Sequence, residues 1–208
     1  MSSNPIRIAV MLSGLGRGSN MQAIIDACNS GKINGSVVLA LGVKDDAPAM
    51  DRARSAGIKT LAISPKIENY DAAVFAALQD NNIDLICLAG YMRLLDKSIV
   101  EHYANRIMNV HPALIPSFAG KGMYGHHVHE AAIERGVKVS GATVHFVNEE
   151  YDRGPIILQT VVPVLDDDTP DTLAARVLEA EHKTYTDAVA LFSENKLRVE
   201  GCRVRIES

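Results

Sequence analysis

The sequence contains no tryptophan and only three cysteines, Cys28, Cys87 and Cys202, which lie far apart and show no C-x-x-C spacing. That pattern supports neither a disulfide framework nor a cysteine-based zinc site, and it reads as reduced thiols of a cytoplasmic protein. No apolar run approaches the roughly 20 residues of a membrane span. The start, "MSSNPIRIAVML", lacks the long apolar core of a secretion signal. Basic residues are not in excess: the formal net charge is −4, which argues against the dense basic surface that nucleic acid requires. Repeats, low-complexity tracts and Pro/Gly-rich linkers are also missing. The expectation is one soluble cytoplasmic domain over 1–208, with neither membrane nor nucleic acid as partner.

What is present is an alternation. "IRIAVML", "SVVLALGV", "KTLAI", "DLICLAG" and "RIMNV" read as short buried strands. Between them lie amphipathic segments such as "SNMQAIIDACNSG", with Ser19 placed to cap it and Gly31 to end it. Continuous apolar strands alternating with helices imply a parallel sheet covered on both faces. After residue 111 the pattern changes. "KVSGATVHFVN" and "PIILQTVVPV" predict an antiparallel pair at the sheet edge, joined through "EEYDRG". A long helix follows, with Thr169 at its N-cap, Pro170 at N1 and Asp171 just inside. The acidic run Asp166 to Asp168 reads as solvated charge near that helix start. The fold class is α/β: a doubly wound, mostly parallel Rossmann-like sheet with a C-terminal antiparallel extension and a long C-terminal helix.

Two stretches stand out as carriers of chemistry. "SGLGRGSN", between the first strand and first helix, combines glycines that allow close backbone approach with the free N–H groups of a helix start. Its spacing is neither the dinucleotide fingerprint nor the P-loop, so a single phosphate is favoured over NAD. Ser19 and Asn20 would add hydrogen bonds and Arg17 a positive charge. The competing reading is a tight turn needing glycine for geometry alone.

The other stretch is "RIMNVHPALIPSF". Asn109 and His111 are i and i+2, so they share one face of a strand that Pro112 ends. An amide and an imidazole are costly in a core but useful at the mouth of a cleft. Asp152, in the turn between the last two predicted strands, could reach the same place and hold the imidazole charged. Asn109 and a protonated His111 are both donors, which is what a carbonyl developing into an oxyanion requires. No nucleophilic motif accompanies them, so the site suits direct attack by a substrate amine or by water. A hydrogen-bonded structural pair is the bland alternative.

Three further readings are weaker. "HHVH" (His126, His127, His129) invites zinc, but nothing nearby completes a ligand set, so contacts in the cleft are favoured and no metal is expected. His145 alternates with Thr143 on a strand; it either faces the same site or is a satisfied core histidine. Glu181 falls within the apolar stripe of the long helix and needs a partner or a ligand there.

"SGLGRGSN", "LAGYMRLL", "NVHPALIPSF", "HFVNEEYDRGPIILQ" and "TPDTLAARVLEAEH", in this order and at these intervals, closely resemble the phosphoribosylglycinamide formyltransferase family. The likeness runs over nearly the whole chain. It implies transfer of the formyl group of 10-formyltetrahydrofolate to the amine of glycinamide ribonucleotide in de novo purine biosynthesis, with catalysis by Asn109, His111 and Asp152. It also implies a ribonucleotide site at Gly18, Ser19, Asn20 and Glu181, and a folate pocket at Met92, Arg93, Leu94, Leu95, Glu150 and Tyr151. By the same resemblance, 1–110 is a phosphate-binding half and 111–208 a folate and catalytic half of one domain.

The sequence departs from the family pattern at three places. The glycine loop is about two residues longer than S-G-x-G-S-N. Position 178, polar in some relatives, is leucine, which makes Arg17 the replacement cation. The arginine before the third helix is absent in register, and Lys66 comes closest. His127, His145 and Lys66 are therefore supporting candidates, and a homodimer is left open. The rival readings are a formyltetrahydrofolate hydrolase and a nucleotide-binding module without catalysis. The hydrolases usually carry an extra N-terminal domain, whereas strand one here begins at Ile6. The module would leave Asn109, His111 and Asp152 without a purpose.

Overall fold

The computed structural model describes residues 4–14 and 16–207. The first half alternates as its apolar runs dictate: β1 (Ile6–Leu12), α1 (Ser19–Asn29), β2 (Gly35–Gly42), α2 (Pro48–Ser55), β3 (Lys59–Ala62), α3 (Tyr70–Asp80), β4 (Leu85–Ala89), α4 (Lys97–His102) and β5 (Ile107–His111). The second half supplies α5 (His126–Glu134), β6 (Val139–Phe146), β7 (Ile156–Pro163), α6 (Pro170–Ser193), β8 (Leu197–Glu200) and β9 (Arg203–Ile206). One sheet contains these strands in the order β3-β2-β1-β4-β5-β6-β7-β9-β8. Pairing is parallel from β3 through β5, and β6 and β7 then run antiparallel. This is the doubly wound class with its antiparallel extension.

The expected antiparallel pair is therefore present, but it is not the edge. β9 adds parallel to β7, and β8 closes that side antiparallel to β9. The short helix α4 was not anticipated either.

Alternation along β1 decides which helices cover which face. Ile8, Val10 and Leu12 pack with Met21, Met50 and Tyr185 of α1, α2 and α6. Ala9 and Met11 pack with Val74, Leu78 and Ile99 of α3 and α4. Truncating one such fully buried side chain to alanine costs about 2–5 kcal/mol. Tyr185 combines packing with polarity: its hydroxyl lies 3.0 Å from the Leu88 carbonyl and 2.8 Å from that of Met108, tacking β4 to β5.

Two local expectations are corrected. Ser19 is the first residue of α1, not its cap. The chain enters the helix through Gly18 at φ 73°, and no side chain caps the end. A Cβ at Gly18 would come within 2.9 Å of the Ala49 Cβ, so the close approach of α2 adds a second demand for glycine there. In the acidic run, Asp168 is not a solvated charge. Its side chain is 3% exposed and takes two hydrogen bonds from Arg176, at 2.6 and 2.9 Å, which hold its pKa far below the usual carboxylate range. The start of α6 is as expected. The Thr169 side chain accepts from the Thr172 amide while Thr172 Oγ1 accepts from the Thr169 amide, with Pro170 next in line.

Candidate active site

The strand order reverses between β1 and β4, and in an open α/β sheet ligands bind beyond the carboxyl ends at such a point. A cavity of about 700 Å³ opens there. Ser13 and Gly16 after β1, Gly90 to Leu95 after β4 and Asn109 to Pro112 at the end of β5 line it. The segment 120–127 and the turn Glu150 to Asp152 complete its walls. Met92, Leu94, Tyr124 and Tyr151 are large apolar side chains left exposed on these walls, as is common in small-molecule pockets. Arg93 stands over the Tyr70 ring at 5.1 Å, and the Tyr70 hydroxyl meets that of Tyr91 at 2.9 Å.

The polar centre assembles from three elements. Asn109 and His111 share one face of β5, and register places His145 of β6 directly opposite Asn109. The Asn109 Nδ2 lies 3.2 Å from His145 Nε2. His145 Nδ1 lies 2.8 Å from the Phe146 carbonyl, which can only accept. In the neutral ring Nδ1 therefore carries the proton, and Nε2 accepts from the Asn109 amide. His111 follows the same logic with its nitrogens exchanged: Nε2 donates to the Phe118 carbonyl at 2.7 Å, which leaves Nδ1 facing Asp152 Oδ2 at 3.6 Å.

Asp152 reaches this place through a left-handed turn, φ 54°, and a close pass of the chain. At Gly154 any Cβ would sit 1.8 Å from the Phe146 carbonyl oxygen, so only glycine lets the turn lie so near the sheet. Asp152 Oδ2 accepts from the Gly120 amide at 2.9 Å, and Oδ1 lies 3.6 Å from His145 Nε2. Burial raises its pKa, but nearby His145, the charge that His111 can carry and the Gly120 amide outweigh it, and the net direction is down. For His111 burial wins: its pKa is lowered even though Asp152 and the Phe118 carbonyl raise it. Asp152 thus favours the charged imidazole, as the sequence suggested, but burial acts more strongly the other way.

This chain matches the family described as Formyl transferase over residues 6–189. It is 40% identical, over 198 residues, to phosphoribosylglycinamide formyltransferase of Escherichia coli (strain K12), covering 93% of this chain and 90% of that one. The chain belongs to the formyl transferase family, among the phosphoribosylglycinamide formyltransferases. A chloroplastic phosphoribosylglycinamide formyltransferase of Arabidopsis thaliana is 41% identical over 92% of this chain and 67% of its own length. The crystal structure of glycinamide ribonucleotide transformylase 1 from Symbiobacterium toebii superposes with a TM-score of 0.91 at 45% identity, covering 98% of this chain and 95% of that one.

In this formyltransferase the expected residues divide into two groups. Asn109, His111, Asp152, Met92, Arg93, Leu94, Leu95, Glu150, Tyr151, His127 and His145 all line the one cavity. Arg17, Gly18, Ser19, Asn20 and Glu181 do not line it, although Ser13 and Gly16 of the same loop do. Of these, Asn20 and Glu181 meet at the start of α1. Asn20 Nδ2 donates to Glu181 Oε2 at 2.7 Å, while the buried Asn20 Oδ1 has no partner among the described residues. Burial pushes the Glu181 carboxyl up to about 7, against the Asn20 hydrogen bond that lowers it. Lys66 is brought to neither group; it is exposed after β3, its amide turned to Ser64 Oγ.

The three clustered histidines separate. His126 bridges Glu130 and Asp171 at 3.1 and 2.9 Å, and His127 meets Glu130 at 3.1 Å, both at the cavity rim. His129 is buried beneath, and burial lowers its pKa to about 4. Reading by sequence missed Tyr91 and Tyr124 as cavity walls and Gly120 as the donor to Asp152. Tyrosines beside glycines, Gly90–Tyr91 and Tyr124–Gly125, were the available signal for the first two.

Proposed function

We propose that the cavity takes 10-formyltetrahydrofolate, that the adjoining glycine loop and Glu181 take glycinamide ribonucleotide, and that the formyl group passes directly from one to the other. Residues 1–110 and 111–208 act in this as one domain. The observation that carries the reading is the meeting of Asn109, His111, His145 and Asp152 in a cavity with apolar walls, next to a helix start without a side-chain cap.

The amine of the ribonucleotide attacks the formyl carbon, and negative charge develops on the formyl oxygen. An amide nitrogen bears two hydrogens; Asn109 gives one to His145 and has the other for that oxygen. His111, neutral at rest with its Nε2 proton held by Phe118, has its Nδ1 lone pair free to take the proton that the amine loses. The imidazolium so formed is stabilised by Asp152 and becomes the second donor to the oxyanion. As the tetrahedral intermediate collapses, the proton passes to the departing folate nitrogen and tetrahydrofolate leaves. The N–H groups opening α1 suit the phosphate, and Arg17 supplies the cation that Leu178 cannot. Glu181 suits the ribose hydroxyls.

The test is a coupled assay with each substrate omitted in turn. Formyl transfer that requires both substrates supports the reading; tetrahydrofolate released without the ribonucleotide makes the protein a hydrolase instead. His111→Ala, Asp152→Ala and Asn109→Ala should each lower kcat by about 10²- to 10³-fold or more. Near-normal turnover in any of the three removes that residue from the mechanism. Arg17→Ala should raise the KM for the ribonucleotide and leave that for the folate in place.

A further inference from the structure

Both catalytic contacts of the segment following β5 are made by its backbone. The Phe118 carbonyl takes the His111 Nε2 proton, and the Gly120 amide donates to Asp152 Oδ2. Whatever fixes residues 113–120 therefore also fixes the imidazole and carboxylate relative to each other. Helix and sheet bonds do not reach this segment, and its anchor is a pair of side chains on the neighbouring strands. Thr143 Oγ1 donates to the Ala113 carbonyl at 2.6 Å and accepts from the Ile115 amide at 3.1 Å. Gln159 Nε2 donates to the Ile115 carbonyl at 3.0 Å and to Thr143 Oγ1 at 2.9 Å. The hydroxyl is thus used to its full capacity, one donation and two acceptances, and both amide hydrogens of Gln159 are committed.

Register explains why these two residues do this. Thr143 is the cross-strand partner of His111, and Gln159 is the partner of Thr143, so the three stand in one row across the sheet. Thr143 is fully buried, while Gln159 is an exposed residue on β7 that does not line the cavity. An exposed glutamine contributes little to a core. Its two bonds go instead to the segment that carries Phe118 and Gly120.

We propose that Gln159, acting through Thr143 and the Ala113–Ile115 backbone, is a positioning residue that sets the alignment of His111 with Asp152. The role rests on the catalytic reading above, since it has a purpose only if that pair performs the proton transfer. Displacement of a catalytic group by about 1 Å can cost on the order of 10²-fold in rate.

The experiment is steady-state kinetics and a pH profile on Gln159→Leu, with Thr143→Val and Thr143→Ser beside it. Gln159→Leu should lower kcat about 10- to 100-fold, with both KM values within about threefold of the parent. The acid limb of kcat/KM should move to lower pH, because the Phe118 carbonyl that raises the His111 pKa is no longer held against it. Thr143→Ser, which keeps the hydroxyl, should retain turnover that Thr143→Val loses. Turnover of Gln159→Leu within threefold of the parent overturns the role, and so does a fall in kcat with the acid limb unmoved or raised. His111→Ala in the same assay separates the two readings. If it keeps its activity, the catalytic assignment fails. If it is inactive while Gln159→Leu is unaffected, only the positioning role fails.

Discussion

Two carboxylates of this protein stand under opposite pressures. Asp152 has three groups that favour its charge and is kept ionised, whereas Glu181 has only Asn20 to set against its burial and is pushed up to about 7. For Glu181 the consequence for stability has a definite sign. The folded chain keeps this proton up to about pH 7, while an unfolded glutamate gives it up near 4.5. Stability is therefore lost as pH rises across that window, and at pH 8 the charged group weighs against the fold by on the order of 3 kcal/mol. Glu181→Gln should raise Tm at pH 8 by roughly 5–10 °C and leave it unchanged at pH 4, while raising the KM for the ribonucleotide. A melting curve that does not respond at pH 8 would show that Glu181 is already solvated. His111 gives the companion prediction. Its pKa is lowered by burial, so activity that needs the neutral ring should fall as pH drops through a value below 6.5. Asp152→Asn removes a charge that raises this pKa, so whatever activity remains should have its acid limb at lower pH than the parent. A limb shifted upward would contradict the assignment of Nδ1 as the proton acceptor.

At the scale of elements, the boundaries that side chains specify are the ones that could be read in advance. Thr169, Pro170 and Asp171 announce α6, and the structure has the reciprocal Thr169–Thr172 cap at that place. Thr169→Ala should cost about 1 kcal/mol, lowering Tm by roughly 2–4 °C with kcat unchanged, measured by calorimetry beside the assay. The parallel half was legible because β1 to β5 are short apolar runs separated by amphipathic stretches. α4 was not, because six residues present barely more than one turn of periodicity, although Asp96 accepting from the Ser98 amide at 2.9 Å marks its start. The hairpin β8–β9 was missed for a different reason. "LRVEGCRVRI" alternates with a strand period around Gly201 at φ 62°, but its inward residues Val199 and Val204 are few and only partly buried. Within the site, Asn109 and His111 were readable from their i, i+2 spacing. The pairing of His145 with Asn109 depends on the register of β5 against β6, which no local pattern contains.

At the scale of the molecule, the cavity is built from segments distant in the chain: the loop after β1, the ends of β4 and β5, the 120–127 segment and the 150–152 turn. Among the contacts that tie these walls together are those of His111 and Asp152 to Phe118 and Gly120, and of Asn109 and Asp152 to His145. A folate bound there, as proposed, would touch several of them at once, and its binding free energy would stabilise the fold by mass action. At a concentration about a hundredfold above Kd, a non-reactive formyl-folate analogue should stabilise the protein by about 2.7 kcal/mol, a Tm rise of roughly 5–10 °C. Hydrogen exchange should locate the effect. Amides of 90–95, 119–127 and 150–152 should slow together, while those of the distant β8–β9 hairpin keep their rates. Glycinamide ribonucleotide alone should instead slow amides at the start of α1, where the first N–H groups have no side-chain cap. Protection by the analogue confined to one half of the chain would mean that the folate does not bridge the two halves.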